Sequence, residues 1–195
     1  MKKNIINANK VIIPPEDLLW VTNFEENDAK AFTTGVMKIA NRDEREPVVV
    51  YVDSYGGYVD VLASMLSTMD GVPNPFITIA SGKAMSCGAI LLAHGNIRCV
   101  GVHARVMIHR LSGAAMGNIK DVQQEAAELT RVSDHFDGVL AKDCGKSLKQ
   151  LRAVWKDHRE IYFTPKQAVK FGLADRVGVP NIDRYSAFTI NFTKV

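Results

Sequence analysis

Val48-Val-Val-Tyr-Val52 restricts the possible folds of this chain more than any other segment. The run lacks the apolar–polar alternation of a half-solvated strand, and its β-branched residues suit a pleated backbone buried on both faces. A charged loop closed by proline, Arg42-Asp-Glu-Arg-Glu-Pro47, precedes it, and the turn-forming Asp53-Ser-Tyr-Gly-Gly57 follows. Helical patterns lie on either side. Upstream, Phe32, Val36, Ile39 and Ala40 recur at a spacing that predicts a helix to about Asn41; downstream, Val61, Leu62, Met65, Leu66 and Met69 do the same. Doubly buried strands alternating with helices predict an α/β fold with crossover connections.

The ends of these elements carry their own signals. Lys10-Val-Ile-Ile13 reads as a short strand stopped by Pro14-Pro15. Thr22-Asn-Phe-Glu25 has capping-box spacing, and Asn27-Asp28 offers a second N-cap for the first helix. With 195 residues, 47% of them hydrophobic and 23% charged, one domain spanning residues 1–195 with a sizeable core is expected. A net charge of +3 without a basic block argues against a nucleic-acid partner or a membrane-surface protein. Cys87, Cys99 and Cys144 are odd in number and have no metal-like spacing, so neither a disulfide framework nor a metal site is expected. No apolar run approaches bilayer length, and Asn4, Asn7, Asn9 and Lys10 interrupt any signal-peptide core. The expected home is therefore the reducing cytoplasm.

The chemistry concentrates between Ile77 and Leu111. Ile77-Thr-Ile-Ala80 is β-prone, Ser81-Gly82 predicts a break, and Lys83 to Ser86 are expected on a turn before an apolar helix through Ala93. Ser86 then stands at a helix start, where unpaired backbone N–H groups can hold the charge developing on an attacked carbonyl. A serine hydroxyl needs a base, and strand-like Arg105-Val-Met-Ile-His109 delivers a histidine at its end. Lys83 offers an alternative base and Cys87 an alternative nucleophile. The glycine pair Gly56-Gly57 allows close backbone approach to a ligand.

Beyond a flexible link, Ser112 to Gly117, an apolar stripe of Val122, Ala126, Leu129, Val132, Phe136, Val139 and Leu140 predicts a long helix over about 119–142. Asp143-Cys-Gly-Lys-Ser147 ends like a phosphate loop, but Leu140 occupies the leading glycine position and a helix precedes it, so ATP hydrolysis is not expected. A short helix from Ser147 to about Lys156 follows. Next come the charged residues Asp157, His158, Arg159 and Glu160, and then a helix with Pro165 near its start and Gly172 at its end. In the tail, residues 181–195, Phe188, Ile190 and Phe192 alternate like one face of a strand expected to add to a sheet edge or lie over an apolar groove.

Four segments in this order resemble the Clp protease proteolytic subunit (ClpP) family: Asp53-Ser-Tyr-Gly-Gly-Tyr-Val59, Gly82-Lys-Ala-Met-Ser-Cys-Gly-Ala89, Val106-Met-Ile-His109, and Tyr162-Phe-Thr-Pro-Lys-Gln-Ala168 with Phe171-Gly-Leu-Ala-Asp175. The resemblance implies a ClpP/crotonase-like fold of repeated ββα units, in which the long helix is a handle that packs against an opposing ring. It implies a serine endopeptidase acting on unfolded polypeptides without a cofactor. The subunits would form two stacked heptameric rings, fed by a separate hexameric ATPase unfoldase. By position, Ser86 is the nucleophile, His109 the base and Glu160 the orienting acid, with Asp157 as the alternative acid. The N–H groups of Gly57 and Cys87 form the oxyanion hole. Tyr55 and Cys87 replace the proline and methionine common in the family, and Glu160 replaces an aspartate. A catalytically impaired ring subunit, a viral shell-maturation protease and an acyl-CoA enzyme of the crotonase type are the competing readings.

Overall fold

The computed structural model describes residues 11–13, 15–155, 160–185 and 187–191, with side chains described for 16–155 and 160–180. After the short strand β1 (Val11–Ile13), four parallel strands alternate with three helices: β2 (Leu18–Val21), α1 (Glu26–Ala40), β3 (Val48–Ser54), α2 (Val59–Gly71), β4 (Phe76–Met85), α3 (Cys87–His94) and β5 (Ile97–Val100). Then come β6 (Arg105–His109), α4 (Ile119–Asp143), α5 (Leu148–Val154), β7 (Glu160–Phe163), α6 (Pro165–Phe171) and β8 (Arg176–Val177). The tail supplies β9 (Asn181–Tyr185) and β10 (Ala187–Asn191). The main sheet has the order β2-β3-β4-β5-β8, with β6 parallel to the far end of β4 and β7 antiparallel to β6.

β3 is buried on both faces, as its composition predicts. Val48, Val50 and Val52 point into the main core with residues of α1, α2 and α3, while Val49 and Tyr51 join Ile77, Ile79 and Cys99 in a smaller cluster on the opposite face. Trp20 stacks on Tyr51 at that face, ring centroids 4.5 Å apart. On α1 the buried residues are Phe32, Val36 and Ile39, the stripe expected from their spacing. The cap differs from both expected positions. Glu25 is the N-cap and its own N–H donates to Asp28 Oδ2 at 2.8 Å, because Phe24 is drawn into the core and into a bridge with Gly57, which leaves the turn to begin one residue later.

The expected break at Ser81-Gly82 does not occur. β4 continues to Met85 because Lys83, Ala84 and Met85 pair with Arg105, Val106 and Met107, a neighbour that local sequence cannot show. Near it β3 slips register between Val52 and Ser54, the bulge that lets Ser54 meet Ala84. β4 thus serves two partners in succession, β5 along residues 77–80 and β6 along residues 83–85.

The apolar stripe of α4 divides. Phe136 and Leu140 pack into the core, whereas Ile119, Val122 and Ala126 are exposed on the helix's first half, which projects from the body. Closure of the fold after α4 depends on Arg98. Its guanidinium donates to Asp175 Oδ1 at 2.5 Å, Gly172 O at 2.7 Å and Asp143 O at 2.9 Å, tying β5 to the ends of α4 and α6. Helix α6 is capped by Thr164, begins with Pro165 and ends at Gly172 in a left-handed conformation, φ 101°, as expected. In the tail, β10 pairs with β9 and β1 as the centre of a separate three-stranded antiparallel sheet rather than extending the main one.

Candidate active site

Ser86 lies between the last residue of β4 and the first of α3, and its backbone is sharply turned: φ 54°, ψ −120°, the one non-glycine residue with positive φ among those described. A conformation this costly to an L-residue persists only where its surroundings hold it. Pairing of β4 with β6 supplies the hold, since Ser86 N–H donates to Met107 O at 2.9 Å. Two residues further along β6, His109 comes to the same place, and its Nε2 is 2.7 Å from Ser86 Oγ. A separation of 23 positions in the chain is closed by one strand register.

The glycine pair comes to the serine from the other side. Gly56 has φ 105°, and a Cβ there would stand 2.7 Å from Ser86 Cβ and 3.1 Å from Met85 O. Gly57 has φ 153°, and a Cβ there would stand 2.7 Å from Phe24 O. Both positions demand glycine for space as well as backbone angle. Ser54 Oγ accepts the Gly56 N–H at 3.1 Å, and Tyr58 N–H donates to Phe24 O at 2.9 Å, which fixes the loop. Cys87 Sγ donates to Gly57 O at 3.3 Å and joins the two segments. Among the described residues neither the Gly57 nor the Cys87 N–H donates to a backbone acceptor. These amides flank the serine at a helix start, where a developing anion is well accommodated.

Electrostatics separates the competing nucleophiles and bases. Burial pushes the Cys87 thiol above its ordinary pKa, so it stays protonated and weakly nucleophilic. Lys83 Nζ is engaged elsewhere, 3.0 Å from Asp53 Oδ1 and 4.6 Å above the Tyr55 ring. His109 is half-buried, and this desolvation lowers its pKa against the opposing pull of the Glu160 charge. A neutral imidazole at neutral pH is the form that can accept the serine proton.

Glu160 stands directly across the antiparallel pair from His109. Its carboxylate, however, accepts the Tyr162 hydroxyl at 2.8 Å, and no hydrogen bond joins it to the imidazole among the described residues. Glu160 thus pairs across the strands with His109 without a hydrogen bond to its ring among the described residues, and Asp157 lies outside the described residues. Residues two apart on a strand share a face, so the spacing of Glu160 and Tyr162 was a visible signal that a hydroxyl would compete for the acid.

A pocket opens beside Ser86 and His109, walled by Val59, Ile90, Ile108, Leu111, Phe136 and Leu140. Two polar side chains without any motif, Ser133 and Asp137, also line it. With Phe136 and Leu140 they complete an i, i+3, i+4, i+7 set on α4, so helical periodicity places them on the buried face. Among the described residues no group of His, Cys, Asp and Glu is gathered as a metal site, and no helix is long and apolar enough to cross a membrane. A family model described as Clp protease matches residues 3–181.

Proposed function

The chain belongs to the Clp protease family and has its α/β fold of the ClpP/crotonase type, and from that premise we propose that it is a serine endopeptidase that cuts unfolded polypeptides into short peptides. The observation that carries this reading is the 2.7 Å approach of His109 Nε2 to the oxygen of a serine held on a strained strand–helix turn. Neutral His109 takes the proton as Ser86 Oγ adds to the peptide carbonyl. The Gly57 and Cys87 N–H groups receive the oxyanion, and the imidazolium then protonates the departing amine. Water, deprotonated by the same histidine, releases the acyl group and restores the serine. Glu160 acts through its charge, which favours the imidazolium.

The exposed first half of α4 supports assembly of the family type, two stacked heptameric rings in which the partner is another copy of this chain. A closed chamber lets a weakly selective site spare folded proteins. The failed phosphate loop around Gly145-Lys-Ser147 leaves unfolding to a separate hexameric ATPase. A second reading, a ring subunit of low turnover, is favoured by the Glu160–Tyr162 hydrogen bond.

A fluorophosphonate probe tests the reading. It is expected to label Ser86 in wild type and to leave His109→Ala unmodified, and a short fluorogenic peptide but not an acyl-CoA is expected to be consumed. Absence of both labelling and peptide hydrolysis would reject it. The pH profile gives an independent check. Because burial lowers the pKa of His109, the acid limb of kcat/KM is expected below the ordinary histidine value of 6.5. Glu160 raises that pKa, so Glu160→Gln is expected to move the limb lower still; an upward movement would contradict the assignment. Gly56→Ala is expected to lower peptide hydrolysis about 10²-fold, since its Cβ would displace Ser86, and wild-type activity in that variant would refute the packing argument.

A further inference from the structure

The C-terminal ends of four helices gather around Arg98 and His94. Arg98 donates to Ala93 O at 3.4 Å as well as to Asp143 O and Gly172 O, and so serves carbonyls at the ends of α3, α4 and α6. His94 adds α2. As the last residue of α3 it holds Nδ1 2.7 Å from Asp143 Oδ2, at the end of α4, and Nε2 3.2 Å from Asp70 Oδ1, one residue before the end of α2. A helix C-terminus carries partial negative charge, which an aspartate there increases. Three such ends and two carboxylates therefore surround one imidazole, whose side chain is 12% exposed. Carboxylates only accept hydrogen bonds, and a neutral imidazole donates from one nitrogen alone. Donation from both nitrogens requires the imidazolium.

We propose that His94 is a pH-operated clamp: protonated, it ties the end of α2 to α3 and α4, and on losing its proton it releases α2 while α3 and α4 stay joined. The inference is independent of the peptidase reading. The shorter bond, to Asp143, keeps the one remaining N–H, which leaves the Nε2 lone pair facing the Asp70 carboxylate. Repulsion then replaces attraction. The charged groups around the ring are Asp70 from α2, Asp143 from α4 and Arg98 from β5, which reaches the Asp143 and Ala93 carbonyls and is itself paired with Asp175. Arg98 keeps its charge, so the junction of α3, α4 and α6 is not switched. Burial works against charge on His94, but the hydrogen bond and charge of Asp143, with those of Asp70, outweigh it and raise the pKa above the ordinary 6.5. Stability from the clamp is therefore complete below 6.5 and is lost as the pH rises through the folded value. Helix α2 starts just after Tyr58 and α3 just after Ser86, so the clamp joins the far ends of two helices that lead away from the candidate active site.

Amide hydrogen exchange read by mass spectrometry on the full-length protein tests this, with rates corrected for the intrinsic effect of pH. Between pH about 6 and about 8.5, wild type is expected to lose protection about fivefold over residues 66–71, the last turns of α2, while the end of α4 stays protected, the scale of one partly exposed ionic contact. Two substitutions move this response in opposite directions. His94→Gln carries no titrating charge and is expected to exchange fast at both pH values. Asp70→Asn is expected to stay protected at both, because its amide accepts from the imidazolium through oxygen and donates to the neutral ring through nitrogen. Asp70 is 74% exposed, so this variant keeps the test available even where the histidine variant does not fold. Equal corrected exchange in wild type at the two pH values, or a wild-type pH response in Asp70→Asn, would overturn the proposal.

Discussion

Ser86→Ala is expected to lower kcat for a short fluorogenic peptide by about 10⁶-fold, the scale seen when a nucleophile is removed from a serine–histidine pair. The size follows from geometry. Among the described residues Ser86 Oγ is the hydroxyl within hydrogen-bond distance of His109 Nε2, and it lies beside the amides of Gly57 and Cys87, so no described neighbour replaces it. Cys87 is next in the chain, but its buried thiol is held protonated and bonded to Gly57 O. His109→Ala is expected to cost a similar factor, and the double variant little more than either alone, because the two residues act as one unit. Peptide hydrolysis by the single and double variants checks this. Additive losses, or substantial turnover without Ser86, would mean that another nucleophile carries the reaction.

The largest effect on stability is expected at Arg98, far from the chemistry. Its side chain is 7% exposed and binds a carboxylate and the carbonyls that end two helices. Arg98→Ala removes the cation and leaves Asp175 and the carbonyls of Asp143 and Gly172 without it; breaking one side of such a buried arrangement costs about 3–5 kcal/mol. Total stability of a domain is only about 5–15 kcal/mol. For a chain of this length that corresponds to a fall in melting temperature of about 6–20 °C. Arg98→Lys is expected to recover little, because a single ammonium cannot span the carboxylate and both carbonyls as the planar guanidinium does. Calorimetry showing either variant within a degree or two of wild type would remove Arg98 from its structural role.

These outcomes also mark where the chain's sequence is informative. Local rules are dependable where burial and backbone chemistry agree. The Val48–Val52 run is a doubly buried strand, and Thr164, Pro165 and Gly172 bound α6 at the positions their chemistry favours. Ser86 and His109 stand out because their flanking motifs recur in order, and the two residues meet. Rules based on short windows mislead where a distant strand intervenes. Ser81-Gly82 has every local mark of a break, but the hydrogen bonds offered by β6 outweigh a weak turn propensity.

By itself, then, the sequence determined the alternation of strands and helices, the apolar stripes, the caps of the last helices and the pair of residues suited to acyl chemistry. These depend on periodicity, side-chain shape and backbone freedom, which act over a few residues. Tertiary structure alone decided that Glu160 bonds to Tyr162 rather than His109, that Lys83 is held by Asp53, and that the buried Asp137 is set between Arg110 and Arg152. Each is a choice among partners competing for one polar group, and the winner is set by distances between elements that the chain brings together only on folding.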